Sequence, residues 1–396
     1  MKSAKIITLV LFFSSSLLYG EVFRFGLEKG DKYSIESVTV EDVYLNGEYL
    51  QSGSVTGKVS VEVEDEKEGW TVNRGDFYFL EEISHGSEGV FELSQQVTVE
   101  FDRNELGEMR IDEKYLSPVM RNLPFFEEKD IAVGDSWVAR GEEVHDLSRN
   151  YDVMDVRIPI DVEYIYVGEV EEGDSRYDKF EMVYDIYHNV VPDYFAGYFY
   201  PARIRGRSER TMLWDREKGL PHIITEDFLI IFDTADLQEI RYAGTRNATY
   251  TVHEDLTEEA AEDVEEALSD LEDTNVELDD EGITITLHNI HFDPDSPVLR
   301  EEEKVRLSEI AKVLDYYADR DLMITGHAAD VGDWDTGVIL SENRAANTAA
   351  FLREILENPE RLIITQGVGA AEPVDTNSTE KGRVKNRRVE ITILEN

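Results

Sequence analysis

From Glu21 to about Tyr250 the apolar side chains recur at every second position, and this alternation restricts the fold more tightly than any other property of the chain. Val59, Val61 and Val63 alternate with polar residues, as do Val156, Ile158, Ile160, Val162, Tyr164 and Tyr166. A period of two sends successive side chains to opposite faces, so these runs are half-buried strands with one face turned to a core. Asn46-Gly47, Glu68-Gly69 and Gly173-Asp174 fall between such runs and have the residue types of tight hairpin turns, which predicts antiparallel sheets. The stretch from Leu123-Pro124-Phe125-Phe126 to Gly134-Asp135-Ser136-Trp137 breaks the pattern, and a boundary there divides the region into β-rich modules at 21–130 and 131–250. An outer-membrane barrel would need segments of about ten residues with an unbroken apolar outer face. Here dense Glu and Asp flank the strands and Pro159 sits inside the clearest one, so a sandwich or large curved sheet outside the bilayer is expected.

Charge narrows the partners. Against 86 Asp and Glu stand 39 Lys and Arg, a net charge of −47 that repels nucleic acid and the anionic face of a membrane. The chain has no cysteine, which removes disulfides, thiolate metal sites, cysteine nucleophiles and the acylated cysteine of a lipoprotein. Lys2 and Lys5, the apolar run Ile6 to Phe13 and the stretch Ser14 to Gly20 have the form of a secretory signal at 1–20, too short to span a bilayer comfortably. An exported acidic envelope protein is the expectation, in the periplasm or associated with the outer membrane of a Gram-negative-type bacterium.

Sites of chemistry are scarce. No GxSxG, P-loop or dinucleotide fingerprint occurs, so neither catalysis nor a cofactor is expected. His288 and His291 lie three apart on a strand and so on opposite faces, and no HExxH spacing exists. Asp330, Asp333, Asp335 and Glu342 crowd one loop. With Asp333 as position one of a calcium loop, however, Gly337 falls on a ligand position and Arg344 on that of the bidentate Glu, so no metal is expected. Arg203, Arg205, Arg207 and Arg210 form a basic cluster whose expected role is cross-strand pairing with carboxylates, the alternative being a docking face for a partner. Tyr194, Phe195, Tyr198, Phe199 and Tyr200 are expected to pack a core or clamp a loop rather than line a lipid or glycan groove.

After Tyr250 the pattern changes. Glu254 to Asp280 is strongly acidic, with Ala260, Val264, Leu268 and Leu271 at three- and four-residue spacing, which predicts an amphipathic linker helix within 251–280 capped by Asp255. Ile283 to Leu287 and Ile290 to Phe292 then read as strand. Leu307, Ile310, Leu314 and Tyr317 form a helical stripe, Leu322 to Thr325 a strand, and Ala345, Ala349, Leu352 and Leu356 a second helix. Leu362 to Thr365 and the alternating Val389, Ile391 and Ile393 close a compact two-layer βαβαββ domain at 281–396, making the whole chain α+β.

Several separated motifs give this last region an affinity. Asn289-Ile290-His291-Phe292-Asp293 with Leu299, Gly326-His327 with Gly332, and Leu340-Ser341-Glu342-Asn343-Arg344-Ala345 come first. Gly367-Val368-Gly369, Glu372-Pro373-Val374, Asn377, Gly382-Arg383 and Asn386-Arg387-Arg388-Val389-Glu390-Ile391 complete the series. In this order they resemble the C-terminal domain of the OmpA, Pal and MotB family over about residues 283–394. The resemblance implies a peptidoglycan-binding module that holds the zwitterionic end of a stem-peptide diaminopimelate between the Asp of a GHTDxxG loop and the Arg of an LSxxRA helix. Arg344 takes the Arg position, in what the motif implies is the first turn of a helix. An ungapped count puts Ala329 at the Asp position, with Asp330 one residue late. Phe292, Asp293 and Arg387 match further positions at the cleft. The function implied is a non-enzymatic tether or scaffold that associates non-covalently with peptidoglycan and meets an envelope protein partner through its β-rich region. Two alternatives stand beside it: an interaction scaffold of the same fold that no longer binds the wall, and a lipid- or glycan-binding β domain positioned in the periplasm.

Overall fold

In a computed structural model of the chain, residues 20–82, 89–147, 155–173, 175–191, 200–279, 281–288, 290, 298–358 and 361–395 are described. Residues 1–19 of the expected secretory signal, the aromatics Tyr194, Phe195, Tyr198 and Phe199, and Phe292 and Asp293 lie outside these residues.

The alternating region forms strands β1 (Lys32–Leu45), β2 (Glu48–Lys67), β3 (Trp70–Glu82), β4 (Val90–Asn104), β5 (Met109–Ile111), β6 (Met120–Arg121), β7 (Ser136–Asp146), β8 (Asp155–Glu172), β9 (Ser175–Asn189), β10 (Pro201–Asp215), β11 (Leu220–Thr234) and β12 (Glu239–His253). They pair antiparallel in the order β5-β4-β3-β2-β1-β12-β11-β10-β9-β8-β7-β6. β1 and β12 run together from Lys32 opposite His253 to Leu45 opposite Ile240, so the modules expected on either side of residue 130 share one sheet. Two of the expected hairpins turn through left-handed residues, Asn46 (φ 51°) with Gly47 (φ 85°) and Glu68 (φ 53°) with Gly69 (φ 83°), whose twist matches that of the strands.

In β8 the six alternating residues from Val156 to Tyr166 are all at most 4% exposed. They meet Phe180, Met182, Ile204 and Trp214 around two side chains from outside the sheet, Phe23 and Phe126. The Phe126 ring stands edge-on to Trp214 at 4.8 Å, and Phe23 to Phe180 at 4.9 Å. The segment that interrupts the alternation therefore supplies part of the core. Pro159 faces outward where β8 has only β7 beside it, so its missing N–H costs no bond on a β9 side.

The acidic stretch differs from its expectation. Its helix α1 (Glu258–Ala267) is short, and Thr257 caps it by accepting from the Ala260 N–H at 3.1 Å. Asp255 instead pairs with Lys32 at 3.1 Å. The following residues form β13 (Thr274–Asp279), antiparallel to β14 (Gly282–His288), and Val264 and Leu268 enter the C-terminal core. The segment is thus built into the domain it was expected to precede, because its apolar stripe has a core to join.

The domain continues through α2 (Glu301–Leu314), β15 (Leu322–His327), α3 (Trp334–Ile355), β16 (Ile363–Gly369), α4 (Glu380–Asn386) and β17 (Arg388–Leu394). Its sheet runs β13-β14-β17-β15-β16, with only β15 and β16 parallel among these pairs. Leu307, Ile310 and Leu314 of α2 and Ala345, Ala349 and Leu352 of α3 bury its inner face, giving the expected two-layer α+β domain.

The β-rich region is fastened to the first half of β15 and β16. Val90, Phe91 and Glu92 of β4 pair in parallel with Ile363, Ile364 and Thr365, while Tyr78 and Leu80 pack with Met323, Leu362, Ile364 and Leu394. Behind this seam the fully buried Lys58 pairs with Asp321, whose other oxygen accepts the Leu362 N–H at 3.0 Å. Arg320 beside it donates to the carbonyls of Glu254 and Glu395. Glu36 sits directly across from Lys58 in the β1–β2 register. Burial, reinforced by the charge of Asp321 and opposed by Lys58, pushes its carboxyl from 4.5 to about 7.

The sign of the pH dependence follows. A carboxyl that holds its proton in the folded chain up to about 7 gives stability that is complete below 4.5 and is lost as pH rises through 7. In urea denaturation the stability of wild type relative to Glu36→Gln is therefore expected to fall between those values and to level off above them. A difference independent of pH would contradict the assignment.

Candidate functional site

The loops that follow β15 and β16 form the opposite end of the C-terminal domain, and glycines determine how closely α3 approaches them. A Cβ on Gly326 would lie 2.1 Å from the Ser341 carbonyl oxygen, and one on Gly367 would lie 2.3 Å from the Glu342 nitrogen. Both positions therefore need glycine for the helix to rest on the two parallel strands. The Ser341 hydroxyl accepts the Gly369 N–H at 2.9 Å and donates to the Val338 carbonyl at 2.7 Å, fixing the rotation of α3 about its axis. Arg344 follows on this anchored stretch and is half-buried.

One expectation about Arg344 is corrected. α3 begins at Trp334, where Asp333 caps it by accepting the Thr336 N–H at 3.1 Å, so Arg344 lies about three turns in rather than in the first turn. The exposed N–H groups of the helix start do not reinforce its charge, since the dipole's influence fades within the first turn. The same cap gives Asp333 a structural task. Among the described residues no three His, Cys, Asp or Glu side chains gather as a metal site.

Two asparagines hold the neighbouring loops. Asn386, fully buried, accepts the N–H groups of Val374 and Asp375 at 3.0 and 2.9 Å and donates to the Asp375 carbonyl and the Asn377 side-chain oxygen, both at 2.8 Å. That same Asn377 oxygen accepts the Asp330 N–H at 3.1 Å. The relay ties α4 to the loop after β15, leaving the Asp330 carboxylate exposed and Ala329 half-buried beside it. Gly382 belongs to the same arrangement, because a Cβ there would lie 2.0 Å from the Thr376 carbonyl oxygen.

The arginines of the last motif divide their work. Arg387 and Arg383 both donate to Glu380, at 2.8 and 2.6 Å, and these bonds hold its carboxyl below the usual range. Arg388 is buried and donates to Glu390 at 2.7 Å, while His327 Nε2 lies 3.1 Å from the other oxygen of that carboxylate. Burial alone would favour a neutral Glu390, but the nearby His327 ring and the hydrogen bond and charge of Arg388 outweigh it and bring the carboxyl to about 2. Phe292 and Asp293 fall outside the described residues. In the β-rich region Arg203 and Arg205 share Asp233, Arg205 also takes Glu239, Arg207 takes Asp185, and Arg210 is buried against Glu226. The Asn386–Asn377 relay and the His327–Glu390 pair were not among the expected site residues. Their signal in the sequence is a buried-type amide or imidazole set within glycine motifs, which marks loop architecture rather than ligand contact.

Fold and loops together define a two-layer α+β domain. Residues 291–387 match the sequence model of the OmpA family, and the C-terminal domain is an OmpA-family domain. The chain is 36% identical over 106 residues to the probable lipoprotein YiaD of Escherichia coli, covering 27% of this chain and 48% of that protein. It is 34% identical over 122 residues to motility protein B of Bacillus subtilis, covering 29% of this chain and 46% of that protein. The chain thus spans about half the length of these curated relatives. Among solved structures, the cell wall anchor of the T6SS from Pseudomonas aeruginosa is matched at 27% identity and a TM-score of 0.30, over 33% of this chain and 96% of that one.

The asparagine relay makes a specific prediction. Asn386→Ala removes the acceptor of the partly buried N–H groups of Val374 and Asp375, an expected cost of about 0.5–1.5 kcal/mol for each hydrogen bond lost. Amide exchange followed by NMR should quicken at those two residues and also at Asp330, which the relay reaches only through Asn377. Unchanged exchange at Asp330 would show that the relay does not order its loop.

Proposed function

We propose that this chain is a non-enzymatic envelope protein that holds peptidoglycan non-covalently through its OmpA-family domain and serves as a tether or scaffold. The observation that carries the reading is the division of that domain into two ends. Its base is closed by β4 and the Lys58–Asp321 pair, while residues 330–336 beyond β15 are exposed where α3, the helix that carries half-buried Arg344, begins.

Arg344 is the residue we assign to a stem-peptide carboxylate, since a guanidinium forks onto a carboxylate through two charge-assisted bonds. Asp330 is the acceptor assigned to the stem's ammonium group, and Phe292, Asp293 and Arg387 are assigned to wall binding with it. Ala329 gives the family's Asp position no charge. A stem residue with an ammonium group but no second carboxylate would then gain little from Arg344, so a diaminopimelate stem is the better partner. Export to the periplasm and an envelope protein partner for the β-rich region complete the proposal.

Sedimentation of residues 21–396 with insoluble diaminopimelate-type peptidoglycan tests it. Wild type is expected to pellet, and Arg344→Ala to lose about 10- to 150-fold in affinity, the equivalent of one charge-assisted bond. Ala329→Asp should tighten binding. Wild type remaining in the supernatant while Ala329→Asp pellets would mean that the fold persists without wall binding.

A further inference from the structure

The β-rich half contains an apolar cavity that wall binding does not use. It measures about 410 Å³ and is lined chiefly by residues of β1–β4 and β9–β12, with Lys58 and Tyr78 of the seam to the C-terminal domain also at its edge. The strand alternation separates the two sides: Tyr33, Ile35, Ser37 and Thr39 line the cavity, while Glu36, between them, meets Asp321. Met109, Val119, Met120 and Leu123, from the segment joining β4 to β7, form the facing wall. The volume sits low in the range of about 300–1,000 Å³ typical of small-ligand sites, enough for one chain rather than two.

The cavity has a closed end and a mouth. Tyr33, Val61 and Phe101 are buried at the closed end, whereas Val55, Phe79 and Val119 leave large apolar surfaces in water at the mouth. Thr39 pairs with Val55 on one side and with Arg246 on the other, which puts Arg246 at the mouth as well. Its side chain is 37% exposed.

Charge in the lining runs against that of the chain. In a protein of net −47, the described lining holds the guanidiniums of Arg103, Arg210 and Arg246 and a single carboxylate, Glu226, while Lys58 is engaged by Asp321. Glu226 is divided between Arg210 at 2.7 Å and Arg246 at 3.2 Å, with Ser208 also donating to it at 2.7 Å. Arg103 donates to the Tyr33 hydroxyl at 3.1 Å and lies over the Phe25 and Phe101 rings, with no carboxylate at ion-pair distance among the described residues.

We propose that this cavity binds a long-chain fatty acid, its alkyl chain running from the mouth toward Tyr33 and Phe101 and its carboxylate meeting Arg246. The hydrophobic effect drives the chain inward, and the partly shared guanidinium selects a planar monoanion. The interaction is independent of the wall site.

Calorimetric titration of residues 21–396 with oleate, below its aggregation concentration, tests the assignment. One equivalent is expected to bind, and dodecyltrimethylammonium should bind at least about tenfold more weakly because its head group carries the wrong charge. Ala248→Phe fills the cavity and should abolish uptake, with circular dichroism confirming that the variant is folded. Arg246→Gln, a milder change at a half-exposed position, should weaken oleate about tenfold and leave dodecyl maltoside unaffected. No oleate uptake by wild type, equal uptake of the cationic amphiphile, undiminished uptake by folded Ala248→Phe, or preference for lysophosphatidylglycerol over oleate would overturn the proposal.

Discussion

A lysine shut inside a β-sheet, paired with an aspartate at the foot of a different domain, governs how this molecule is put together. Lys58 and Asp321 are both buried, and removing either partner from such a pair costs about 3–5 kcal/mol because the other charge is stranded without water. The pair therefore exists only while the β-rich region and the C-terminal domain stay in register. Asp321 immediately precedes β15, and its second oxygen caps the start of β16, so the docking force enters the C-terminal sheet at its base. The pairing of β4 with β16 closes the adjacent sheet edge, which an isolated domain would present to solvent.

This junction distributes the remaining surfaces. With its base covered, the C-terminal domain keeps its glycine-set loops at the far end, where α3 begins, and Arg344 lies about three turns into that helix. Part of the sheet β1–β4 meets the C-terminal domain on one face and the cavity with its facing wall on the other, while Glu48–Val55 of β2 stays exposed. Most cations in the chain are committed internally: Arg203, Arg205 and Arg207 to surface carboxylates, Arg210 to Glu226, and Arg383 and Arg387 to Glu380. In so acidic a protein a partly exposed guanidinium at a cavity mouth is a marked position, and Arg246 occupies one.

Much of this was legible because it is local. The alternation from Val156 to Tyr166 became β8, Asn46-Gly47 and Glu68-Gly69 became hairpin turns, and Gly326, Gly367 and Gly382 of the C-terminal motifs proved to be points where α3 and α4 touch backbone. What stayed hidden depends on distant partners. Lys58 reads as an ordinary polar residue in an alternating strand, and its partner is 263 residues away. Nothing near β1 or β12 announces that they pair. The acidic segment looked like a free-standing linker helix because charge dominates its composition, yet two apolar residues, Val264 and Leu268, were enough to draw it into the core. The start of α3 was misjudged for a related reason: the motif begins at Leu340, but the cap that begins the helix is Asp333.

The fixed placement of the two halves is the claim on which the rest stands, and the absence of native cysteine makes it directly measurable. Spin labels on Tyr49→Cys in β2 and Val305→Cys in α2, both exposed positions, report the distance between the halves by pulsed dipolar spectroscopy. One narrow distance distribution is predicted. A broad distribution, or two populations, would contradict a docked junction and return the chain to two domains moving on a tether.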